Sequence, residues 1–143
     1  MSEKKLANKV VNKMLEGDKF SRWLGIEKII SEAGYCILKM KVREEMLNCF
    51  GIAHGGICFS FADSALAFAS NAYGRLSVAL ECSISFPVAV NAGDELTCEA
   101  KELSLTNKTG TYLIEVKNQK NEKVAIFKGM VYRTSKEWFP DEK

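Results

Sequence analysis

Hydrophobic and polar residues along this 143-residue chain change period several times, and each change marks an element. Leu6, Val10, Val11, Met14 and Leu15 share one stripe over residues 4–16, the spacing of an amphipathic helix. Gly17-Asp18 ends it, and Phe20, Trp23 and Leu24 predict a second short helical turn before Gly25. The period then drops to two. Ile26–Ser31 and Tyr35–Val42 read as strands joined at Glu32-Ala33-Gly34. In the second of them Cys36, Leu38, Met40 and Val42 alternate with Lys39 and Lys41, so one face is wet.

Met46 to Gly56 is a connection rich in special residues: Asn48, Gly51, His54, Gly55 and Gly56. A helix is predicted from Ile57 to about Tyr73, closed by Gly74. From Ile57 to Ala69 only Ser60, Asp63 and Ser64 are polar, so the helix is apolar nearly all round and must be buried. Alternation then resumes, with Val78, Leu80, Cys82, Ile84, Phe86 and Val88 facing one way and Glu81, Ser83 and Ser85 the other. Turns at Asn91-Ala92-Gly93-Asp94, Thr106–Gly110 and Gln119–Glu122 separate strands over 95–105, 111–118 and 123–134. Pro87 cannot donate to a ladder, so an edge or bend is expected there. The sum is an α+β fold with short N-terminal helices, two strands, a buried helix, then four strands in meander order. A six-stranded curved antiparallel sheet wrapped around one long central helix gives that pattern a single core.

The chain divides without a linker or repeat into an N-terminal helical segment (1–24), the sheet-and-helix domain (25–135) and a C-terminal tail (136–143). A formal net charge of +2 with acids and bases interspersed leaves no basic stripe of the kind that grips nucleic acid. Five scattered cysteines (Cys36, Cys49, Cys58, Cys82, Cys98) without a CxxC pair, and one histidine, argue against a zinc site and for a reduced compartment. The charged N-terminus lacks a signal-peptide core, and the apolar segment 57–69 is too short to span a bilayer. A cytoplasmic protein with no metal, no cofactor, no nucleic-acid partner and no membrane association is expected.

Asp63 carries the chemistry. A carboxylate in the middle of an apolar helix, with no Lys or Arg within one turn, is costly to bury and needs a reason. It either caps another element or does chemistry. At the start of the same helix, His54-Gly55-Gly56 supplies helix-start amides without intrahelical acceptors, open to close approach because the glycines lack side chains. Such amides at the positive end of a helix dipole are the components of an oxyanion hole, though Gly-Gly also serves simply as a turn. Asp63 lies eight residues beyond Gly55, about 12 Å of helix rise. One substrate carbonyl cannot touch both groups of one straight helix. If both act on one substrate, the site is shared between Gly55 of one subunit and Asp63 of another.

The run Asn48-Cys49-Phe50-Gly51-Ile52-Ala53-His54-Gly55-Gly56 with Ala62-Asp63 resembles the N-x-x-G-x-x-H-G-G-x(6)-D pattern of hot-dog fold acyl-CoA thioesterases. Within them it is most similar to the PaaI (phenylacetic acid degradation) group and thioesterase superfamily member 2. The likeness runs from about Gly25 to Arg133, through Gly74, Cys82–Pro87, Ala92-Gly93-Asp94 and Lys108-Thr109-Gly110-Thr111-Tyr112. It implies a homodimer, paired into a homotetramer, that hydrolyses acyl-CoA to free acid and CoA without a cofactor. Asp63 would be nucleophile or general base, the Gly55 amide would polarise the carbonyl, and Asn48 would orient the attacking water or the acid. His54 would support the loop or contact the thioester. CoA contacts would come from Gly56, Phe86, Lys108, Thr109 and Gly110, with Arg133 toward phosphate, although Lys108 and Arg133 also fit ordinary surface charges. Where some relatives carry a serine facing the acid, this chain has Ala79, with Ser77 and Ser83 as substitutes. Glu81 on the polar face is a second acid or an interface residue.

Two other functions suit the same pattern. One is a hot-dog hydratase or dehydratase, which pairs a histidine with a helical acid. The other is a non-catalytic acyl-CoA-binding module. Asn48 and the Gly-Gly after His54 favour the thioesterase, and an idle buried carboxylate would be costly in a pure binder. The acyl group is open: Phe59, Phe61, Phe68 and Tyr73 line an acyl tunnel or fill the core.

Overall fold

The computed structural model describes residues 1–142. Two helices come first, α1 (Glu3–Gly17) and α2 (Lys19–Leu24), followed by β1 (Glu27–Glu32) and β2 (Tyr35–Lys41). A 3-10 turn over Glu44–Met46 and an irregular loop lead to α3 (Gly55–Asn71). Strands β3 (Arg75–Ser85), β4 (Glu95–Leu105), β5 (Thr109–Lys117) and β6 (Lys123–Glu137) complete the chain. Polar side chains start the first helices: Ser2 accepts from the Lys5 amide at 3.2 Å and Asp18 from the Ser21 amide at 2.9 Å. Gly25, at φ +80, closes α2.

All six strands form one antiparallel sheet in the order β1-β2-β4-β5-β6-β3. α3 lies in its concave face and buries Phe61, Ala62, Ala65, Leu66, Phe68 and Ala69 almost completely. Inward residues of the strands meet it: Leu38, Leu96, Cys98, Tyr112, Ile114 and Phe127 are all 0% exposed. Phe61 and Phe68 are therefore core, while Phe59 is half-buried and packs edge-on against Phe127 at 5.2 Å. α1 closes the other side with Ala7, Val10 and Val11, so the N-terminal helix shares the same core.

Two expectations need correction. Strands after α3 do not follow one another as a four-stranded meander: β4, β5 and β6 do, but β3 pairs with β6. β2 and β5 occupy both sides of β4, so β3 cannot pair with its successor and lies instead on the edge of β6. Neighbours in sequence usually pair, and the filled sides of β4 exclude that here. The alternation in β3 is also broken. The register shifts between Ala79 and Glu81, so Ser77, Ala79, Cys82 and Ile84 face the helix while Val78 and Leu80 turn outward, 48% and 57% exposed. β3 is an edge strand, and it ends at Ser85, before Pro87.

Asn71 ties the end of α3 to β3 and so sets how β3 lies beside the helix. Its Oδ1 accepts from the Ser77 amide and Trp138 Nε1, both at 2.9 Å, while Nδ2 donates to Ala67 O (2.8 Å) and Ser77 O (3.1 Å). Asn71 is 1% exposed, so removing its amide leaves these groups without water to replace it. Asn71→Ala is expected to lose about 2–3 kcal/mol, the cost of stranding buried donors. A urea-denaturation midpoint equal to wild type would contradict this.

Candidate active site

The loop before α3 is folded by Asn48. Its Oδ1 accepts from the Phe50 amide at 2.9 Å and the Ile52 amide at 3.4 Å, and its backbone O accepts from Gly51 N at 3.1 Å. Gly51 sits at φ +79, which this tight turn requires. With the carbonyl end committed, the Asn48 Nδ2 has no partner among the described residues, and Asn48 lines the adjoining cavity.

His54 is the N-cap of α3. Its Nδ1 accepts from the Gly56 amide at 2.9 Å, and its backbone O accepts from Ile57 N at 2.9 Å. Of the first three amides of the helix, Gly56 and Ile57 are thus spent inside the chain. The Gly55 N–H has no acceptor among the described residues. With Nδ1 accepting, the imidazole proton is assigned to Nε2, which makes the ring a donor toward a ligand rather than a base. The Phe86 ring lies over Gly55, and a Cβ at that position would come within 3.2 Å of Phe86 Cζ. Asn48, His54, Gly55 and Phe86 line one cavity of about 280 Å³ with an apolar wall of Ile52, Cys58, Val88, Val90 and Val124.

Asp63 opens into a different cavity. About 190 Å³ in volume, it is bounded by Leu66, Ala67 and Ser70 of α3, by Ser77, Val78 and Ala79 of β3, and by Val131 of β6. No hydrogen bond or ion pair reaches the Asp63 carboxylate among the described residues, so it caps no element. Burial raises its pKa above the usual carboxylate value, and the charge of Asp18 pushes the same way. Cys82, on the strand beside it, is no rival nucleophile: burial, Asp63 and Glu81 all raise its thiol pKa. Of the two candidate serines on β3, Ser77 lines the Asp63 cavity, buried with its hydroxyl on Arg75 O at 3.3 Å, whereas Ser83 and Glu81 lie on the exposed outer face.

Lys108, Thr109 and Arg133 gather at the β4–β5 turn, at the end of the sheet where Ser77 pairs with Arg133. Phe86 follows Ser85, which pairs with Ile126 toward the other end. The two groups expected to hold CoA are therefore apart within one chain. Arg133 is engaged in the fold in part: Nη1 donates to Thr106 O at 2.7 Å, its backbone N donates to Lys108 O and its guanidinium lies over the Tyr73 ring, while its buried Nε has no hydrogen-bond partner among the described residues. Tyr73 in turn donates to Glu102 at 2.7 Å. Gly110 is buried, with Tyr112 Cε1 3.0 Å from where its Cβ would be, so it packs inward. Lys108 is exposed and has no ion pair among the described residues.

The cavity walls include residues the sequence pattern left unassigned. Leu66, Ala67 and Ser70 follow Asp63 at i+3, i+4 and i+7, a helical spacing that could have been read directly. Val124 and Val131 arrive only through strand pairing, which no local pattern shows. Among the described residues no group of three or more His, Cys, Asp or Glu is placed to hold a metal ion, and no helix is long and apolar enough to cross a membrane.

The raised pKa of Asp63 has a consequence for stability. The folded protein holds this proton to higher pH than the unfolded chain does, so the burial cost is absent below the unfolded pKa and complete above the folded one. Asp63→Asn is expected to melt above wild type at pH 7, with the difference shrinking as pH falls through that window. A wild-type-like or lower melting temperature at neutral pH would contradict it.

The profile of the thioesterase superfamily matches residues 50–125. A putative esterase of Archaeoglobus fulgidus is 42% identical over 135 residues, 94% of this chain and 88% of that protein. Acyl-coenzyme A thioesterase PaaI of Escherichia coli is 40% identical over 120 residues, 84% of this chain and 86% of that one. The solved structure of the E. coli PaaI protein, from the phenylacetic acid degradation operon, superposes with a TM-score of 0.93 at 37% identity, covering 95% of this chain and 99% of that one. A buried helix in a six-stranded curved antiparallel sheet agrees with these likenesses, and the chain belongs to the thioesterase superfamily with its hot-dog fold.

Proposed function

We propose that this protein hydrolyses acyl-CoA thioesters to free acid and CoA, at sites shared between two subunits of a homodimer. One observation carries the reading: α3 bears an unpaired, half-buried carboxylate and, two turns earlier, an unpaired amide, and the two open into separate cavities of the same chain. Kinship with proteins named acyl-CoA thioesterases supports the choice of substrate.

The edge strand supports the dimer. β3 is eleven residues long, has a free edge, and carries exposed Val78 and Leu80 beside Met130 and Tyr132 of β6. A long apolar edge asks for a partner. Pairing β3 with its two-fold copy in antiparallel fashion sets the Ser85 end of one strand against the Ser77 end of the other. The partner subunit's Gly55 and Phe86 then approach Asp63, Ser77 and Ala79, and the Lys108 turn lies at the same end as Asp63. Such dimers pair further into a tetramer in this reading.

In each shared site the Gly55 N–H polarises the thioester carbonyl and stabilises the oxyanion as it forms. The Nε2–H of His54 and the Nδ2 of Asn48 are free to donate to the thioester or to the attacking water. Asp63, its basicity raised by burial, takes a proton from water as that water attacks the carbonyl carbon, or attacks the carbon itself to give an acyl anhydride that water then hydrolyses to the free acid, restoring the carboxylate. Thiolate leaves as CoA. Exposed Lys108 offers a charge to the CoA phosphates and Thr109 a hydroxyl. Arg133 and Gly110 hold that turn in place, and Gly56 holds the loop through His54. A hydratase needs a basic imidazole, and the Gly56 amide already occupies Nδ1 of the one histidine.

Asp63→Ala is expected to keep the wild-type fold and assembly while thioester turnover falls at least about 10²-fold, the scale of a lost general base. The measurement is free-thiol release from a panel of aryl- and medium-chain acyl-CoAs; undiminished turnover would remove Asp63 from the mechanism. Sedimentation should give a dimer or tetramer, and an active monomer would end the shared-site account.

A further inference from the structure

Ser64, the other polar residue next to Asp63 in an otherwise apolar turn, is 8% exposed and is not used by the reaction. Its Oγ lies 2.8 Å from Ser21 Oγ on α2. Ser21, 1% exposed, donates its hydroxyl to Asp18 Oδ2 at 2.6 Å, and its amide donates to Asp18 Oδ1 at 2.9 Å. Since the Ser21 proton is spent on Asp18, the Ser64 hydroxyl must donate to Ser21. A directed relay results, Ser64 to Ser21 to the Asp18 carboxylate, and charge-assisted bonds of this kind fix geometry firmly. It joins the cap of α2 to α3 at the residue that follows Asp63.

We propose that Asp18 is a positioning residue for Asp63: through Ser21 and Ser64 it locks α2 onto the catalytic helix at the residue that follows the reacting carboxylate. The inference rests on the thioesterase reading for its catalytic meaning. An N-cap alone needs no buried link to another helix, and Ser or Asn would cap α2 without a charge. The charge of Asp18 pushes the Asp63 pKa upward in addition to burial, which is the larger cause. From β3 the facing titratable group is Cys82, whose thiol pKa is itself raised, so it carries no charge near neutrality. A like charge makes Asp63 a stronger base at the pH where it works.

Asp18→Asn is the discriminating variant: asparagine caps a helix as well as aspartate, its Oδ1 accepts from the Ser21 amide, and its Nδ2 donates to Ser21 Oγ where the carboxylate accepted, so the contacts stay while the charge goes. Two readouts are needed, the pH profile of kcat/KM with acyl-CoA and the ¹³C carboxyl titration of Asp63. Both midpoints are expected to move to lower pH, with KM unchanged and kcat on the plateau lowered about two- to tenfold as the base weakens. Ser64→Ala, which cuts the relay but leaves the Asp18 charge, should shift both midpoints the same way by less. Midpoints that stay at the wild-type value, or rise, in a folded Asp18→Asn protein would overturn the proposal. The carboxyl titration decides the link without turnover, so an inactive wild type would sink the thioesterase reading and leave this inference standing or falling on its own.

Discussion

A helix apolar on every side cannot rest on a sheet with one face left in water; it has to be enclosed, and the burial of α3 organises the whole molecule. Six strands curl around it, α1 and α2 cover what the sheet does not, and Phe61, Phe68, Leu66 and the alanines between them supply most of the contact. At about 25 cal/mol per Å² of apolar surface, this enclosure is the main favourable contribution to the fold. It also makes α3 a rigid rod. Whatever chemistry is mounted on it is held at fixed separation.

Mounted on that rod are two groups the enclosure leaves unsatisfied. The first-turn amides of α3 are mostly absorbed by His54, which leaves Gly55 open under the Phe86 ring. Two turns on, Asp63 faces a second small cavity with no partner for its charge. Each group alone destabilises the protein slightly or does nothing, which is the usual mark of groups kept for function. Their separation is what makes a second subunit chemically necessary in this account. The free edge of β3, interrupted by its bulge and bearing Val78 and Leu80, is where that subunit would bind.

Most of this was legible in the residues because it is local. The all-apolar stretch 57–69 announced a buried helix, the switch to alternation marked the strands, and Asp63 stood out as an exception within a strong pattern. Strand order was not legible, since pairing β3 with β6 depends on which edges are already filled, a property of the whole sheet. The β3 bulge was hidden for a related reason: Val78, Leu80, Cys82 and Ile84 alternate without fault in sequence, and only the register against β6 shows the slip. The hold of Arg133 on the β4–β5 turn was also not legible, because its hydrogen bond to Thr106 O joins residues twenty-seven positions apart. The Asp18–Ser21–Ser64 relay spans forty-three residues between its serines and leaves no periodic trace.

Subunit complementation tests the shared site most directly. Asp63→Asn and Gly55→Val chains, each inactive alone, are refolded together in equal amounts. Random pairing makes half the dimers mixed, and a mixed dimer holds one intact site, joining Asp63 of one chain to Gly55 of the other. The account predicts recovery of about a quarter of wild-type turnover from the mixture. A mixture as inactive as its components, in which mixed dimers are shown to form, would place both groups of a working site on one chain and contradict it.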